Sequence, residues 1–377
     1  MTEPLNRPVP VLGDVSLNNS VPVPDDVPLN RSAAGGPSGP AAATTLADVA
    51  REAGVSTSAV SRTFTPGASV GKKTRARVLE AANRLGYRPN AIARTLSTRK
   101  SRMVGLVVSY LDNQFYPTVI EQLSHLLQQH GYHVLLFIGR DNGPDMDSVL
   151  LEILQYQVDA IVLASTMLSS GLAAHCRAAG IPVVLFNRTA PVAGVSTVAS
   201  ANEEGGRLAA DYLLRTGARR IAFMAGLDDA STSQEREHGF MAALQRAGVA
   251  LTARCVGQYS LDEARVVTRE LYEEARPDTW PDAWFVANDH MAFGVLDALR
   301  TDLKLRVPDD VQVIGFDNVP QAAWGGYQLT TVEQDSWRMA QATVALLMRQ
   351  FDPNHPAHPE QVVIPVTLIE RATTLGV

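Results

Sequence analysis

The sequence is poor in cysteine and has no long apolar run. Its 377 residues include only two cysteines, Cys176 and Cys255. Neither has Cys or His neighbours at metal-ligand spacing, so we expect free thiols and no metal site. No apolar segment reaches the roughly 20 residues needed to span a bilayer, and the N-terminus lacks the basic-then-apolar pattern of a secretory signal. We therefore expect a cytoplasmic protein that makes no membrane contact.

Motifs for enzyme chemistry are also missing. No G-x-G-x-x-G segment follows any apolar run, and no Ser/His/Asp or Cys/His set stands out. A nucleotide-dependent dehydrogenase would need the first, and nucleophilic catalysis would need the second. We expect no catalytic residues and no cofactor.

The charge is distributed very unevenly. Residues 45–102 contain twelve Lys or Arg and three acidic residues, a net charge of +9 in a chain whose total is −6. Residues 1–43 carry −2, so residues 103–377 carry −13 by difference. Concentrated Lys and Arg displace the counterions condensed on phosphates, which favours a nucleic-acid-binding module ahead of an acidic body. A solvated basic tail is the alternative.

Residues 1–43 are rich in proline and show no sustained hydrophobic period. Eight of the 22 prolines lie there, and such a segment cannot bury enough apolar surface to fold. We expect a disordered arm, with a functional arm as the alternative.

The start of the basic module predicts a helix-turn-helix. Thr45 and Asp48 are a helix-start signal, and Gly54 ends the first helix with a left-handed conformation. Ser56 then caps a second helix over 57–64. Ala59, Val60 and Phe64 are expected to face inward in this helix, which leaves four exposed polar residues, Thr57, Ser58, Ser61 and Arg62. Short hydroxyls and an arginine suit the major groove of DNA, whereas a plain helical hairpin is the alternative.

Two further helices follow. A third helix is predicted over 72–85, with Lys72, Lys73, Arg75 and Arg77 facing out. After Gly86, residues 91–97 form a helix too short to be stable alone in water, so it is expected to fold only when docked.

These segments resemble the lactose-repressor (LacI/GalR) family of bacterial transcription regulators. The similarity is in DVAREAGVS and AVSR, then TRARVLEAANRLGYRPNAIARTL and VGLVVSYLDNQFY, and it extends from about Thr44 to the C-terminus. The resemblance implies that the short helix is a hinge that orders on operator DNA and that Leu96 wedges into the minor groove. Gly71 departs from the capping residue usual in the family. The candidate DNA-contacting residues are Thr57, Ser58, Ala59, Ser61, Arg62, Asn90, Ala93 and Leu96.

From Met103 onward, apolar runs alternate with amphipathic helices. The runs VGLVV, HVLLF, AIVLA, PVVLF, RIAFMAG, AWFVA and VQVIGFD are typical of strands covered on both faces. The alternation predicts two doubly wound α/β subdomains with parallel sheets. We expect a helix-turn-helix domain over 44–89, a hinge and linker over 90–102, and a core over 103–377. The family resemblance implies three crossings between the subdomains, near Ser200, Thr331 and Glu360, as in periplasmic sugar-binding proteins. The N-subdomain would then comprise about 103–200 plus 332–360, and the C-subdomain about 201–331 plus 361–377.

Polar residues follow several of these runs. In open parallel sheets, ligands bind beyond the carboxyl ends of the strands, and carboxylates and amides there suit a polyhydroxylated ligand. The family resemblance implies that the effector is bound by Phe115, Arg188, Arg236, Asn288, Asp317 and Gln334. Each has a structural alternative, since Asp317 could cap a turn, Asn288 could start a helix and Arg236 could pair with an acid.

Two arginines in one pocket suggest an acidic effector, such as a sugar acid. The alternative is a neutral sugar, with Asp112, Asp289 and Asp317 neutralising the arginines.

The sequence therefore predicts a homodimeric, sequence-specific transcription regulator, most simply a repressor of a carbohydrate or sugar-acid operon. Its partners would be double-stranded operator DNA and a small effector in the cleft of the core. A sugar-binding transport component is the alternative, although it has no use for residues 45–102.

Overall fold

The computed structural model describes residues 44–65, 67–88, 100–109, 111–139, 145–164, 169–189, 194–352, 354 and 358–376. The chain divides into two units, with the boundary in the sequence between Arg88 and Pro89. The predicted arm over 1–43 and three hinge residues, Asn90, Ala93 and Leu96, lie outside the described residues.

The first unit is a bundle of three helices. These are α1 (Leu46–Ala53), α2 (Thr57–Phe64) and α3 (Lys72–Arg84). Thr45 caps α1 through a reciprocal pair of hydrogen bonds with Asp48, and Gly54 ends it at a φ of 60°. The Ser56 hydroxyl accepts from the Ala59 N–H at the start of α2. The core is made of Val49, Ala50, Ala53, Val60, Val78, Ala81 and Ala82.

Among the described residues of this unit, Thr63 is buried although it is polar. Thr63 lies inward on α2, where the sequence favoured Ala59 and Phe64, which are only half-buried. Its hydroxyl donates to the Ala59 carbonyl at 2.8 Å, so its burial leaves no unsatisfied group.

The second unit contains two six-stranded sheets. The first has the order β11-β5-β4-β3-β1-β2 and is parallel throughout. Its strands are β1 (Met103–Val108), β2 (His133–Ile138), β3 (Ala160–Ala164), β4 (Val183–Phe186), β5 (Ser196–Ser200) and β11 (Gln361–Ile364). The helices on this side are α4 (Phe115–Gln129), α5 (Asp145–Gln155), α6 (Ser170–Ala178) and α11 (Ser336–Gln350).

The second sheet has the order β12-β10-β9-β8-β6-β7. Its strands are β6 (Ile221–Ala225), β7 (Ala253–Val256), β8 (Ala283–Val286), β9 (Gln312–Asp317), β10 (Thr330–Gln334) and β12 (Val366–Ile369). Its helices are α7 (Asn202–Arg215), α8 (Ser231–Arg246), α9 (Leu261–Glu274) and α10 (Asp289–Asp297), the last continued by a π-helical turn at Ala298–Asp302. β12 runs antiparallel to β10, and only Pro365 separates it from β11 of the first sheet.

Three connections join the sheets. They lie at Ala201, Asp335 and Pro365, between elements that belong to different sheets. The second and third are a few residues later than the sequence predicted. β10 stays in the second sheet up to Gln334, and β11 pairs with β5 before the chain crosses.

Helices α7 and α8 pack unusually closely because glycines line their contact. A Cβ at Gly206 would lie 2.0 Å from the Arg236 carbonyl oxygen, and one at Gly239 would lie 1.9 Å from the Glu203 carbonyl oxygen. The close approach lets Asn202 on α7 accept a hydrogen bond from Arg236 Nε on α8 at 2.9 Å.

Among the described residues, no helix is both long and apolar enough to cross a bilayer. Within the same residues, no group of three or more His, Cys, Asp or Glu is arranged to hold a metal ion.

Candidate functional site

The outer face of α2 is polar and accessible. Thr57, Ser58, Ser61 and Arg62 are exposed, and Ala59 is half-buried beside them. Arg62 Nε donates to the Ser58 carbonyl at 3.3 Å, so the guanidinium lies along its own helix. The helix therefore presents short hydroxyls and one long cation on a single face.

A basic surface on α3 lies in the same unit. Lys72, Lys73, Arg75 and Arg77 are all exposed. Arg75 reaches the Thr63 carbonyl of α2 at 3.3 Å, and Arg77 reaches the Gly54 carbonyl at 3.5 Å. Arg75 therefore lies against α2, and Arg77 lies against the turn that precedes it.

A cavity of about 20 Å³ lies between the two sheets of the second unit. That volume holds about one water molecule, so a sugar-sized ligand enters only when the two sides of the cavity move apart. It is lined by Asn113, Tyr116, Asn187, Arg188, Thr232, Arg236, Tyr259, Asn288 and Asp317. The first four come from the first subdomain and the others from the second, so a ligand here contacts both.

Arg236 and Asp317 form the buried charge pair of this cavity. Each is less than 5% exposed, and Arg236 NH1 lies 3.7 Å from Asp317 Oδ1. The guanidinium also stacks on Phe316, with its central carbon 3.7 Å from the ring centroid, and donates to the Ala287 carbonyl. The pair therefore has a fixed geometry before any ligand arrives.

Asp317 has further partners and an unusual backbone. Gln334 Nε2 donates to Oδ1 at 2.5 Å, and Asn113 Nδ2 donates to Oδ2 at 3.4 Å across the cleft. Burial raises the pKa of the Asp317 carboxyl above its usual range, while Arg236, Gln334 and Asn113 oppose that rise. Its φ is 128°, a conformation that L residues avoid.

Two asparagines in the cavity each have one polar side-chain atom without a hydrogen bond to the described residues. Asn288 Oδ1 caps α10 by accepting from the Met291 N–H at 2.9 Å, whereas its Nδ2 is buried with no partner among the described residues. Asn187 donates to the Tyr116 hydroxyl at 3.4 Å, and its Oδ1 has no partner in the described part of the chain. A buried amide group without a hydrogen bond destabilises the folded state. These two atoms therefore suit a ligand that offers an acceptor to Asn288 Nδ2 and a donor to Asn187 Oδ1.

A chain of hydrogen bonds from Arg188 through Thr232 to Tyr259 joins the two subdomains. Arg188 NH1 donates to the Thr232 hydroxyl at 2.5 Å, and Thr232 lies 3.1 Å from the Tyr259 hydroxyl. The Tyr259 ring lies directly over Gly226, where a Cβ would be 2.2 Å from the ring. The tyrosine thus adds an aromatic face to a largely polar lining.

The structure brings together four of the six residues implicated by the sequence. Arg188, Arg236, Asn288 and Asp317 line the cavity. Phe115 and Gln334 instead line a neighbouring pocket that shares Asp317. Phe115 packs against Tyr116 and Phe186 in the core, because it is the first residue of α4 and its ring turns beneath that helix.

Sequence analysis missed Tyr116, Thr232 and Tyr259. None directly follows an apolar run, which was the signal used for pocket residues. Tyr116 is next to Phe115 in the sequence, whereas Thr232 lies one helical turn before Arg236 and could have been found by that spacing.

The chain was compared with known proteins. Residues 45–90 match the model of bacterial regulatory proteins of the lacI family, and residues 210–374 match a periplasmic binding protein-like domain. A ribose operon repressor from Halalkalibacterium halodurans is 32% identical, over 88% of this chain and 98% of the relative. The chain belongs to the LacI family of bacterial transcription regulators. The predicted family and fold are confirmed.

Other relatives agree over nearly the whole chain. The HTH-type transcriptional repressor PurR of Vibrio vulnificus is 30% identical, over 85% of this chain and 97% of its own length. The solved Lac repressor dimer, bound to operator and the anti-inducer ONPF, has a TM-score of 0.79 and 28% identity, and covers 89% of this chain and 100% of the solved one. A CelR–cellobiose complex has a TM-score of 0.66 and 32% identity, over 88% and 99% of the two chains. This LacI-family chain is a DNA-binding transcription regulator, and the transport alternative is wrong.

Proposed function

We propose that this LacI-family protein represses a carbohydrate or sugar-acid operon as a homodimer on a near-palindromic operator, and that an effector in the cavity sets its operator affinity. The observation that supports the effector most strongly is the cavity itself. There the Arg236–Asp317 pair meets amides and hydroxyls from both subdomains. The relatives include ribose operon repressors and a regulator bound to cellobiose, and a Lac repressor solved as a dimer on its operator supports the assembly.

For the DNA contacts, we propose that α2 enters the major groove and that the hinge enters the minor groove. The exposed Thr57, Ser58 and Ser61 permit close approach, and Ala59 leaves space beside them. Arg62 would turn away from the Ser58 carbonyl to reach guanine O6 and N7. Asn90, Ala93 and Leu96 would make the minor-groove contacts, with Leu96 as the apolar wedge.

Replacing Arg62 by alanine should weaken operator binding by about 1–3 kcal/mol and relax base preference at one position in each half-site. The reason is the loss of a bidentate contact to one guanine. Competition between operators with single base changes measures both effects. Arg51→Ala is the matched control, because Arg51 is also exposed but lies on α1 and pairs with Asp48. Equal base preference in Arg62→Ala and the wild-type protein would refute the assigned contact.

We propose that the effector carries a carboxylate as well as hydroxyl groups. The cavity is lined by two arginines and one aspartate. Asp112 and Asp289, which sequence analysis considered as neutralising partners, are not among the lining residues. A guanidinium binds a carboxylate through two parallel hydrogen bonds, while Tyr116 and Tyr259 offer ring faces to a sugar.

Calorimetric titration with paired ligands tests the effector class. The pairs are D-glucose with D-glucuronate and D-galactose with D-galacturonate, each added to the full-length protein. We expect the acid of at least one pair to bind at least tenfold more tightly than its neutral sugar. Tighter binding of the neutral sugars would overturn the acid assignment, and no binding by either class would overturn the effector proposal.

The proposed control works through closure of the cleft. Direct contacts already join the subdomains, from Arg188 to Thr232, from the Thr189 N–H to the Ser231 hydroxyl at 3.1 Å, and from Asn113 to Asp317. A ligand that adds contacts to both sides would favour the closed form by its differential affinity. Rotation of the subdomains would then change the separation of the two hinge segments in a dimer and so their ability to fold on DNA. We propose no catalytic step for the protein, and we place it in the cytoplasm with its operator.

A further inference from the structure

Asp289 is a fully buried carboxylate that lies beside the cavity but not in its lining. It is the first residue of α10, directly after the capping residue Asn288. Its Oδ2 accepts from the backbone N–H of Val319 at 3.0 Å, and its Oδ1 accepts from the Thr331 hydroxyl at 2.6 Å. Asp289 therefore ties α10 both to the turn after β9 and to β10.

The turn at the end of β9 begins at the effector-site residue Asp317, the last residue of that strand. Asp317 and Asn318 both have positive φ, at 128° and 55°. Such backbone conformations persist in residues other than glycine only where the surroundings hold them. Val319 follows directly, so its hydrogen bond to Asp289 fixes the point at which the strained turn ends. The direction of the Asp317 carboxylate depends on that point.

Gly315 provides the space for this contact. A Cβ at Gly315 would lie 2.3 Å from Asp289 Oδ1, closer than real Cβ contacts allow. Gly315 does not have a positive φ, so its backbone conformation does not require glycine. The requirement comes from the carboxylate, which passes over β9 to reach Val319 and Thr331.

A second buried carboxylate close to Asp317 is unfavourable by itself. Burial and then the Asp317 carboxylate raise the pKa of Asp289, while Thr331, Val319 and Arg371 lower it. Two ionised carboxylates would oppose each other in a site with little water.

We propose that Asp289 is a positioning residue for effector binding, which holds the 317–319 turn so that the Asp317 carboxylate faces the cavity. The inference rests on the proposed effector site and gives a separate task to a residue outside it.

The test is hydrogen exchange of the ligand-free, full-length protein, followed at the Val319 amide and throughout the second subdomain. In Asp289→Ala we expect the Val319 amide to exchange at least tenfold faster, with amides of β6 and β8 unchanged. Asp289→Asn keeps an acceptor and should restore slow exchange at Val319. Thr331→Val is the matched control, because it removes the other partner of Asp289 and leaves the Val319 contact in place.

Ligand binding provides the second arm, with D-glucuronate and D-galacturonate as probes. Asp289→Ala should bind whichever probe the wild-type protein binds at least tenfold more weakly, and Asp289→Asn should lose less than threefold. Unchanged exchange at Val319, or equally fast exchange throughout the subdomain, would overturn the proposal, as would unchanged probe affinity despite faster local exchange. If the wild-type protein binds neither probe, the carboxylate-effector proposal fails, whereas the exchange arm still decides whether Asp289 holds the turn.

Discussion

Replacing Arg236 by methionine is expected to destabilise the second unit by about 3–5 kcal/mol at pH 8, because the change leaves Asp317 buried without its cationic partner. Methionine fills a similar volume and can still pack on Phe316, so the loss reports the charge more than the shape. The free energy of unfolding, measured by chemical denaturation of the ligand-free protein, gives the magnitude. Effector binding should be lost in the same variant.

The pH dependence of this loss has a definite sign. Burial already raises the pKa of Asp317, and Arg236 opposes that rise. Without Arg236 the pKa rises further, so Asp317 becomes neutral at a higher pH and no longer needs a partner. The destabilisation should therefore be smaller at pH 5 than at pH 8. Arg246→Met is the control, since Arg246 is exposed at the end of the same helix. A difference of less than about 1 kcal/mol between the two variants at pH 8 would contradict the importance of the buried pair.

Gly239→Ala should be the second most damaging change. Its new Cβ would lie 1.9 Å from the Glu203 carbonyl oxygen, and the neighbour is helix backbone that cannot rotate away. Helices α7 and α8 must then separate, which we expect to cost about 1–3 kcal/mol or more. Because Asn202 and Arg236 bond across this contact, effector affinity should fall as well.

Gly171→Ala provides the matched control for this change. Gly171 also lies inside a helix, but a Cβ there meets nothing within 4 Å, so alanine should be neutral or should stabilise by about 0.5–1 kcal/mol. Chemical unfolding of both variants measures the contrast. Equal stability of the two variants would show that the helices can separate without loss.

Most strands that could be predicted from the sequence are continuous apolar runs buried on both faces. β2 was also expected to be covered on both faces, but it is a half-exposed strand at the edge of the first sheet. β5, β7, β10, β11 and β12 were missed because each is polar, short or at an edge. β5 reads STVAS yet is fully buried. Its Ser196 hydroxyl accepts from the Gln350 side chain and the Glu360 N–H, and these are partners from distant parts of the chain that no local pattern reveals.

The residues of the candidate site also divide into those that the sequence could predict and those that it could not. Asp317 ends an apolar strand, and Asn288 and Arg188 each lie two residues beyond one, so the rule that ligands lie beyond strand ends places them near one another. Arg236 was found only through family resemblance, because its partners Asn202 and Ala287 are far away in sequence. Asp289 was considered only as an acid that could neutralise the arginines. Its contacts with Val319 and Thr331 depend on how α10 crosses β9, which only the fold determines.

The most direct test of the account is the selection of binding sites from random duplex oligonucleotides by full-length protein at moderate ionic strength, with and without the paired sugars and sugar acids. We predict enrichment of a near-palindromic site whose affinity for the protein changes at least tenfold when one of these ligands is added. If a near-palindromic site is enriched but none of these ligands alters its affinity, the proposed effector control is contradicted. Failure to enrich any sequence under either condition would contradict operator recognition by this chain.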